Sequence, residues 1–599
     1  MFTQGLPEPK PANMRAGAAP TSRPAGWKFD LGFACFACLF LALGLRLWAI
    51  QVRGHDKAVA EQESQAWALE EIEPQRGDIV DRDGRMLAIS KRVPSCFADP
   101  KYLEDPDDAA AKLSATLGLD REALLKKLKS GRRFTWVKRR CSSEEEEVVR
   151  AMKLRGVGFE SDTRRAYVLG NSMGQVLGYV DIDGFGLEGL EREYQQVMAG
   201  RAGEQWVLRD AKRDMISSFT RPVKDARPGA TLQLTIDARI QNVAEQALAK
   251  VMEKHSPESA VAVVTDPRTG EILAIAGYPN YDPNNPAAGK PEARRCRAAT
   301  DFFEPGSTFK GVVMAGLLEK GLVKPGEMID CAGGSWNYRG RTISDVHGHG
   351  AISVADVLIV SSNVGMAKMA TRMKPTDLEA WIRGFGFGKV TGAGIPGETP
   401  GVVPREHPWK PQTLVSASFG YAVGVTPLQL AQAYGAIANG GTILPPHLVK
   451  AVLDDRGEEI EMSPLPPGNR YLSTKVSRDI VSMMIQVVER GTAKSAKLDG
   501  WLVAGKTGTT KLLGKDGKYA AGKYASSFVG FAPADDPRLL VVVVVKEPQG
   551  AYYGGTVAAP AVGEILREGL TLLEVRPDAA KVKLKREEFA RKTATEGRR

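Results

Sequence analysis

The pattern of apolar and polar positions begins with a long apolar run near the N-terminus. Residues 31–45 contain no charged side chain, and after Arg46 the apolar character resumes and continues to Val52. About 20 such residues span a bilayer core, and Arg46 near the end of the run can extend its guanidinium to the interface. The pattern predicts a transmembrane helix over residues 31–52; a buried core helix is the alternative.

Basic residues outnumber acidic ones in residues 1–30, ahead of this run. The positive-inside rule therefore predicts that residues 1–30 form a cytoplasmic tail and that the chain after the span is exported. No small-residue cleavage site follows the apolar run, and Cys35 and Cys38 lie too early in it for lipid attachment. We therefore expect a signal anchor that stays attached to the chain.

Residues 53–231 show shorter and weaker periodicity. Around Arg76 to Arg85 the pattern is that of a strand start followed by a turn at Asp83-Gly84. Residues 104–155 show helical spacing of Ala and Leu with many charges, and residues 156–227 alternate short strands with glycine-containing turns. We expect an elongated, modestly packed, non-catalytic module.

A stronger rhythm follows the turn at Pro228-Gly229. It opens with one strand and one long helix, continues with two apolar strands around a turn, and closes with a strongly apolar strand and a final helix. These elements are predicted at 232–236, 240–255, 260–265, 272–276, 539–545 and 559–573. We expect a large α/β-type core over residues 232–575.

The net charge of +10 over 599 residues changes this picture little once it is located. Residues 581–599 hold eight basic and three acidic side chains, so half of the excess lies in the tail. The chain has no zinc-finger spacing and no basic stripe within a domain, which argues against nucleic-acid binding. We expect residues 576–599 to be a basic, disordered tail.

The chemistry begins with the only Ser-x-x-Lys sequence in the chain, Ser307 to Lys310. Pro305-Gly306 predicts a turn, and an apolar helix is predicted from Gly311, which places Ser307 at a helix N-terminus where developing negative charge is favoured. Lys310, three residues on, lies on the same helical face. A desolvated lysine can take the proton of a serine nucleophile; an N-cap serine is the ordinary alternative.

Two further motifs follow in the chain. Ser361-Ser362-Asn363 comes after an apolar stretch, whereas a second Ser-x-Asn at Ser335 lies in a glycine-rich loop and is treated as a decoy. Gly505 to Thr509 (Gly-Lys-Thr-Gly-Thr) follows a strand-like segment. Small residues on an edge strand let an extended peptide add as a further strand, and Lys506 with threonine hydroxyls suits a terminal carboxylate.

Ser-x-x-Lys, Ser-x-Asn and Lys-Thr-Gly in this order are the motif set of the penicillin-binding proteins and β-lactamases. The chain resembles a class B penicillin-binding protein, most closely the septal peptidoglycan D,D-transpeptidases, and Glu304 ahead of the nucleophile favours that branch over the cell-elongation branch. The resemblance also rests on these segments: Arg76-Gly77-Asp78-Ile79, Gly186, Glu188-Gly189, Leu234-Thr235-Ile236-Asp237, Gly270-Glu271-Ile272-Leu273-Ala274, Ser418-Phe419-Gly420-Tyr421, Val425-Thr426-Pro427 and Tyr553-Gly554-Gly555.

The resemblance implies an α+β or α/β fold: a β-lactamase-like domain with an antiparallel sheet flanked by helices, preceded by a β-rich pedestal or dimerisation-type module and the membrane helix. It also implies acyl transfer through Ser307 with Lys310 as the base. Ser361 would relay a proton, Asn363 would hold the stem-peptide amide, and Lys506 with Thr507, Gly508 and Thr509 would bind the carboxylate. Tyr421, Tyr524, Tyr552 and Tyr553 match pocket-wall positions.

Implied ligands and partners are peptidoglycan stem peptides, β-lactams, a septal glycosyltransferase and other membrane proteins of the division machinery. No cofactor is implied. Three other interpretations compete: an α/β-hydrolase elbow at Gly170 to Gly174 with Ser172, a metal site at His347 and His349, and a catalytically silent division scaffold. The missing oxyanion loop argues against the first, the missing further ligands against the second, and the intact motifs against the third.

Overall fold

The structure, a computed structural model, describes residues 26–53, 67–209, 215–462, 464–514 and 516–596. Most of the predicted cytoplasmic tail lies outside these residues. The chain divides into two units, one made of Met1–Ile72 with Gly203–Asp225 and the other of Glu73–Ala202 with Ala226–Arg599. Each unit is described by itself.

The first unit contains the apolar helix Gly26–Trp48, which continues as a π-helical turn over Ala49–Arg53. The stretch Gly26–Val52 is long and apolar enough to cross a membrane, in agreement with the predicted span. The unit also contains a three-stranded antiparallel sheet. Its strands, in spatial order, are Trp67–Ile72, Gly203–Arg209 and Met215–Lys224.

A six-stranded sheet in the second unit organises residues 73–202. Its strands are Ile79–Val80, Met86–Ala98, Thr135–Lys138, Val157–Tyr167, Thr231–Leu234 and Val449–Leu453. Helices accompany it at Pro106–Leu117, Arg121–Leu128, Ser143–Ala151, Gly174–Leu177, Gly189–Glu193 and Gln195–Met198. The predicted domain boundary at 231/232 falls within the strand Thr231–Leu234. This sheet contains strands that precede the boundary in the chain and strands that follow it.

Two details of this region differ from the sequence prediction. The stretch 104–155 is not helical throughout, because Thr135–Lys138 pairs with Met86–Ala98 as a strand. Within the stretch 156–227, the part before Gly203 contains one long strand, Val157–Tyr167, and three short helices where alternating strands and turns were expected, whereas the strands Gly203–Arg209 and Met215–Lys224 agree with the expectation. Two buried ion pairs hold the helix Gly189–Glu193: the Glu191 carboxylate accepts from Arg76 Nε and from Arg165 Nε, each at 2.7 Å.

The larger part of the second unit is built on a five-stranded antiparallel sheet. Its strands, in spatial order, are Ile272–Tyr278, Ser259–Thr265, Leu539–Lys546, Tyr519–Ala532 and Ala504–Leu513. The central strand explains the unbroken apolar run in the sequence, because alternate residues enter two separate cores on opposite faces of the sheet. Ala504–Leu513 lies at the edge.

Helices cover both faces of this sheet. Ala238–His255 and Ala559–Leu572 pack in one core, and Lys310–Glu319, Pro427–Ala438 and Thr474–Glu489 pack in the other. The remaining helices are Arg297–Thr300, Val354–Ile359, Asn363–Ala370, Pro375–Gly384, Pro411–Ser418 and Gly554–Val557. Small hairpins and strand pairs lie at Met328–Asp330 with Ala351–Ser353, Ser335–Tyr338 with Arg341–Ser344, and Thr442–Ile443 with Asn469–Arg470.

The expectation of a disordered C-terminal tail is wrong for most of its length. Ala579–Glu596 is a helix, and its Val582 side chain is buried against the core. Arg586 Nε pairs with Glu489, and Arg586 Nη2 donates to Leu498 O at 2.7 Å. One buried valine among many charges is a weak sequence signal, which is why composition alone predicted disorder.

Candidate active site

Ser307 lies on a 3₁₀ turn, Gly306–Phe309, that leads directly into the helix Lys310–Glu319. This confirms the predicted helix start. Gly306 adopts φ +54°, and a Cβ there would lie 2.3 Å from Thr510 Cγ2. Gly306 N donates to Gly420 O, and a Cβ on Gly420 would lie 2.1 Å from Gly306 O. The turn is therefore fixed by backbone in close contact with backbone, which only glycine permits.

Lys310 is fully buried directly after this turn. Its Nζ donates to Ser361 O at 2.6 Å, to Asn363 Oδ1 at 2.8 Å and to Ser361 Oγ at 3.3 Å. Burial, with a smaller contribution from the nearby Lys506, lowers the pKa of Lys310 well below the ordinary lysine value; Asp345 opposes the shift. A lysine in this environment can exist in the neutral form that accepts a proton.

Ser361 lies between the two buried lysines. It has φ +66°, a conformation that is uncommon for serine, and its Oγ accepts from Lys506 Nζ at 3.0 Å as well as from Lys310. Ser362 caps the following helix, Asn363–Ala370, by accepting from Gly365 N. The predicted Ser361–Asn363 motif and both predicted lysines therefore meet at one point.

Asp345 supports this motif through hydrogen bonds to the start of the helix Asn363–Ala370. The sequence analysis did not predict this residue. Its carboxylate accepts from Asn363 N, from Val364 N at 3.0 Å and from Ser362 Oγ at 2.6 Å. These groups include free N–H donors of the helix start, where a carboxylate is favoured by the helix dipole. Asp345 lies in a loop with no local motif around it, so nothing in the sequence marked it.

Lys506 lies on the edge strand Ala504–Leu513, fully buried, and burial lowers its pKa to about 7. Thr507 Oγ1 shares a hydrogen bond with Thr492 Oγ1, whereas Thr509 Oγ1 accepts from Gly554 N and keeps its own proton available. A Cβ on Gly508 would lie 2.8 Å from Pro305 O, so this strand passes against the turn that carries Ser307.

The four predicted tyrosines fall into two groups. Tyr524 stacks on Tyr552 with ring centroids 4.3 Å apart, and Tyr553 contacts Tyr552 at a tilt with ring centroids 4.6 Å apart. Tyr421 belongs to a second group, 5.7 Å edge-on from Tyr519, which the sequence analysis did not select. Burial raises the pKa of Tyr421, and the Glu304 carboxyl adds to the shift.

The competing sites lack the partners that their chemistry requires. Ser172 Oγ donates to Glu245 Oε1 at 2.7 Å, and no histidine hydrogen-bonds to it within the described residues. His347 is exposed, and the part of the chain that the structure describes places no group of three metal-ligating residues together. Ser335 is exposed on a small hairpin.

Comparison with known proteins agrees with this geometry. Residues 260–567 match the penicillin binding protein transpeptidase domain, and residues 71–234 match the penicillin-binding protein dimerisation domain. The probable peptidoglycan D,D-transpeptidase PenA of Neisseria gonorrhoeae is 34% identical over 90% of this chain and 91% of its own length. The peptidoglycan D,D-transpeptidase FtsI of Escherichia coli K12 is 33% identical over 92% and 93%.

The chain is a class B penicillin-binding protein. Stage V sporulation protein D of Bacillus subtilis is also similar, at 33% identity over 90% of this chain and 84% of its own. Among solved structures, a peptidoglycan synthetase from Bifidobacterium adolescentis covers 86% of the chain with a TM-score of 0.68 and 28% identity, and 98% of that chain is covered. The fold class and the serine-type D,D-transpeptidase activity predicted from the sequence are confirmed, and the apolar helix fits a single-pass membrane anchor.

Proposed function

We propose that this penicillin-binding protein cross-links stem peptides at the division septum through an acyl-enzyme on Ser307. The observation that carries the residue assignment is Ser361 Oγ, which lies within hydrogen-bonding distance of both buried lysines, Lys310 and Lys506. A hydroxyl held between two lysines of lowered pKa, beside the turn that carries another serine, is suited to moving a proton.

In the acylation step, Ser307 Oγ attacks the carbonyl carbon between the two terminal D-alanines, and its proton passes to neutral Lys310 Nζ. The C–N bond then breaks, and Ser361 relays the proton to the departing D-alanine amine. Backbone N–H groups of Ser307 and Thr509 stabilise the tetrahedral oxyanion. The acyl-enzyme is resolved by an amine of a neighbouring stem peptide, which forms the cross-link.

Substrate binding uses the edge strand and the Ser-x-Asn motif. Lys506, Thr507, Gly508 and Thr509 bind the terminal carboxylate, and the peptide lies along the free edge of Ala504–Leu513. Asn363 Nδ2 donates to Ser344 O, which leaves a second amide hydrogen for the stem peptide. Tyr421 and the contacting rings of Tyr524, Tyr552 and Tyr553 form the walls.

The septal role and the topology complete the proposal. Residues 1–30 lie in the cytoplasm, residues 53–231 form the pedestal or dimerisation-type module, and residues 232–575 form the transpeptidase domain outside the membrane. A septal glycosyltransferase and other membrane proteins of division are its partners. The likeness to FtsI and the Glu304-Pro305-Gly306-Ser307 sequence support this branch. Depletion should produce filamentous cells; rounded cells would instead indicate the elongation role.

The residue assignment is tested by acylation with a β-lactam, read by intact mass and peptide mapping. Wild-type protein should gain one adduct on Ser307, and Ser307→Ala should lose it without a change in melting temperature. Ser335→Ala is the matched control and should be labelled normally. An adduct that survives Ser307→Ala, or maps to Ser172, would refute the assignment, and absence of any adduct on folded wild type would favour the scaffold.

A further inference from the structure

Glu304 stands three residues before Ser307 and joins two segments to the nucleophile turn. Its Oε1 accepts from Ala422 N at 2.8 Å, and its Oε2 accepts from Tyr519 Oη at 3.0 Å. Its backbone oxygen accepts from Thr510 Oγ1 at 2.9 Å. One residue therefore connects the Tyr421–Ala422 loop and both strands of the hairpin 504–532 to the segment that carries Ser307.

The hairpin end is partly exposed, so its hydrogen bond to Glu304 is an important contact with the rest of the domain. Leu513 and Tyr519 are opposite each other where the two strands end, and they are 55% and 43% exposed. A cavity of about 440 Å³ lies beside Leu513, lined by Glu304 with Phe302 and Lys511 among others. The Tyr519 ring contacts Tyr421 edge-on, so the hydrogen bond to Glu304 also fixes this pair of rings.

The loop at Ala422 also depends on its hydrogen bond to Glu304. Ala422 adopts φ +65°, which alanine rarely does, and its N–H is satisfied by the Glu304 carboxylate. Burial raises the pKa of the Glu304 carboxyl, an effect opposed by its hydrogen bonds to Ala422 N and Tyr519 and by the charge of Arg341. The carboxylate is kept in a half-buried place where its two acceptor atoms are both used.

We propose that Glu304 is a positioning residue that holds the Tyr421 and Tyr519 wall of the substrate pocket against the nucleophile turn. The proposal rests on the acyl-enzyme function proposed above. The turn has its own supports, since Thr308 Oγ1 donates to Pro305 O and Tyr434 Oη donates to Thr308 O. Loss of Glu304 should therefore weaken non-covalent binding of a ligand much more than it slows attack by Ser307.

The test measures, for a chromogenic cephalosporin, the binding constant Ks and the acylation rate constant k2 separately. Glu304→Ala should raise Ks about tenfold, the scale of one to two lost hydrogen bonds, with k2 changed less than about threefold. Tyr519→Phe should raise Ks less, and the double variant should be no worse than Glu304→Ala alone. Glu304→Gln should restore Ks, because its amide oxygen can accept from Ala422 N and its NH₂ can donate to Tyr519 Oη.

Glu319→Ala is the matched control. Glu319 also accepts one backbone N–H and one hydroxyl, both from Ser473, at 3.0 Å and 2.8 Å, and it lies at the far end of the helix that begins at Lys310. Its Ks and k2 should stay at wild-type values. An unchanged Ks in Glu304→Ala would overturn the proposal. If Glu304→Ala does not fold, an unchanged Ks in Tyr519→Phe would overturn it instead. A Glu304→Gln variant whose Ks is no better than that of Glu304→Ala would also overturn it. A wild type that no cephalosporin acylates would refute the proposed function instead.

Discussion

Buried charges are held in opposite ways in two regions of the same unit. In the N-terminal module, the fully buried Glu191 carboxylate is shared by Arg76 and Arg165, so each charge faces an opposite charge. In the active site, Lys310 and Lys506 are equally buried, but their hydrogen bonds go to neutral oxygens. The lysine pKa values fall as a result.

The difference separates charges that hold the fold from the charges to which we assign a role in chemistry. A paired buried ion is costly to break, because removing one partner leaves the other desolvated and alone. A buried cation among neutral partners is already desolvated without a countercharge. This desolvation lowers its pKa and so makes its proton easier to remove. We therefore expect substitutions to affect stability in the first region and activity in the second.

The largest effect is expected for Lys310→Met, which removes the proposed base. The rate of acylation by a β-lactam should fall by about 10²–10⁴, the scale of lost general-base catalysis. The melting temperature should stay the same or rise, because an apolar side chain of similar length replaces a desolvated cation. Acylation kinetics and a thermal melt measure both; a strongly destabilised variant would break the comparison.

Glu191→Gln should show the converse behaviour. Arg76 and Arg165 lose their shared countercharge, and the free energy of unfolding should fall by about 3–5 kcal/mol, while folded protein is still acylated normally. Glu193→Gln on the same short helix is the control, since that side chain is exposed. Equal stability of the two variants, measured by thermal or denaturant unfolding, would show that the buried pair does not hold the module.

The pH dependence sharpens the comparison within the site. Acylation should rise with pH as Lys310 loses its proton, and affinity for a carboxylate-bearing β-lactam should fall as pH rises above about 7, where Lys506 loses its charge. Lys506→Arg should move the falling limb upward, because arginine stays protonated. Stability should rise with pH between about 7 and 10.5, where the unfolded state binds more protons than the native state.

A bell-shaped acylation profile and pH-resolved melting curves check these signs. A falling limb that stays near pH 7 in Lys506→Arg would assign it to another group. A stability that falls over the same pH window in the wild type, and does so equally in Lys506→Met, would contradict a lowered pKa for Lys506.

The smallest effect is expected for Arg586→Ala, which tests a pair of intermediate burial. Arg586 is 23% exposed, and its partner Glu489 is 10% exposed. Loss of this pair and of the bond to Leu498 O should cost about 1 kcal/mol, with unchanged acylation. Arg591→Ala, farther along the same helix and 78% exposed, should cost less. A loss of stability as large as that of Glu191→Gln would show that burial does not determine how much these ion pairs contribute to the free energy of unfolding.

The sequence was most informative where a motif is local. The spacing of Ser307 and Lys310 on one helix start, and the unbroken apolar run of Leu539–Lys546, each depend on neighbours in the chain, and both were predicted. That these residues lie close to Ser361, Asn363 and Lys506 in the fold could be predicted only from the resemblance, because no local periodicity relates segments so far apart in the chain.

What the sequence did not reveal depends on long-range partners. Asp345 can cap the helix start at Asn363 only after folding brings its loop against that helix. Glu191 forms its buried ion pair only when folding brings Arg76, 115 residues earlier in the chain, into contact with it. The helix Ala579–Glu596 was missed for the same reason, because its few anchoring contacts are with residues of another helix and a distant loop. Charge composition describes such a segment in isolation, whereas its docking decides its structure.

The contact between Gly306 and Gly420 has a consequence for how this protein can evolve under an antibiotic. Every amino-acid replacement at a glycine codon adds a Cβ, and at Gly420 that atom would lie 2.1 Å from Gly306 O. We therefore expect any replacement at Gly420 to displace the turn that carries Ser307, which restricts gradual adaptation at this position. Heritable changes in inhibitor sensitivity should instead accumulate at partly exposed positions, such as Tyr552 and Tyr553, which are 38% and 46% exposed.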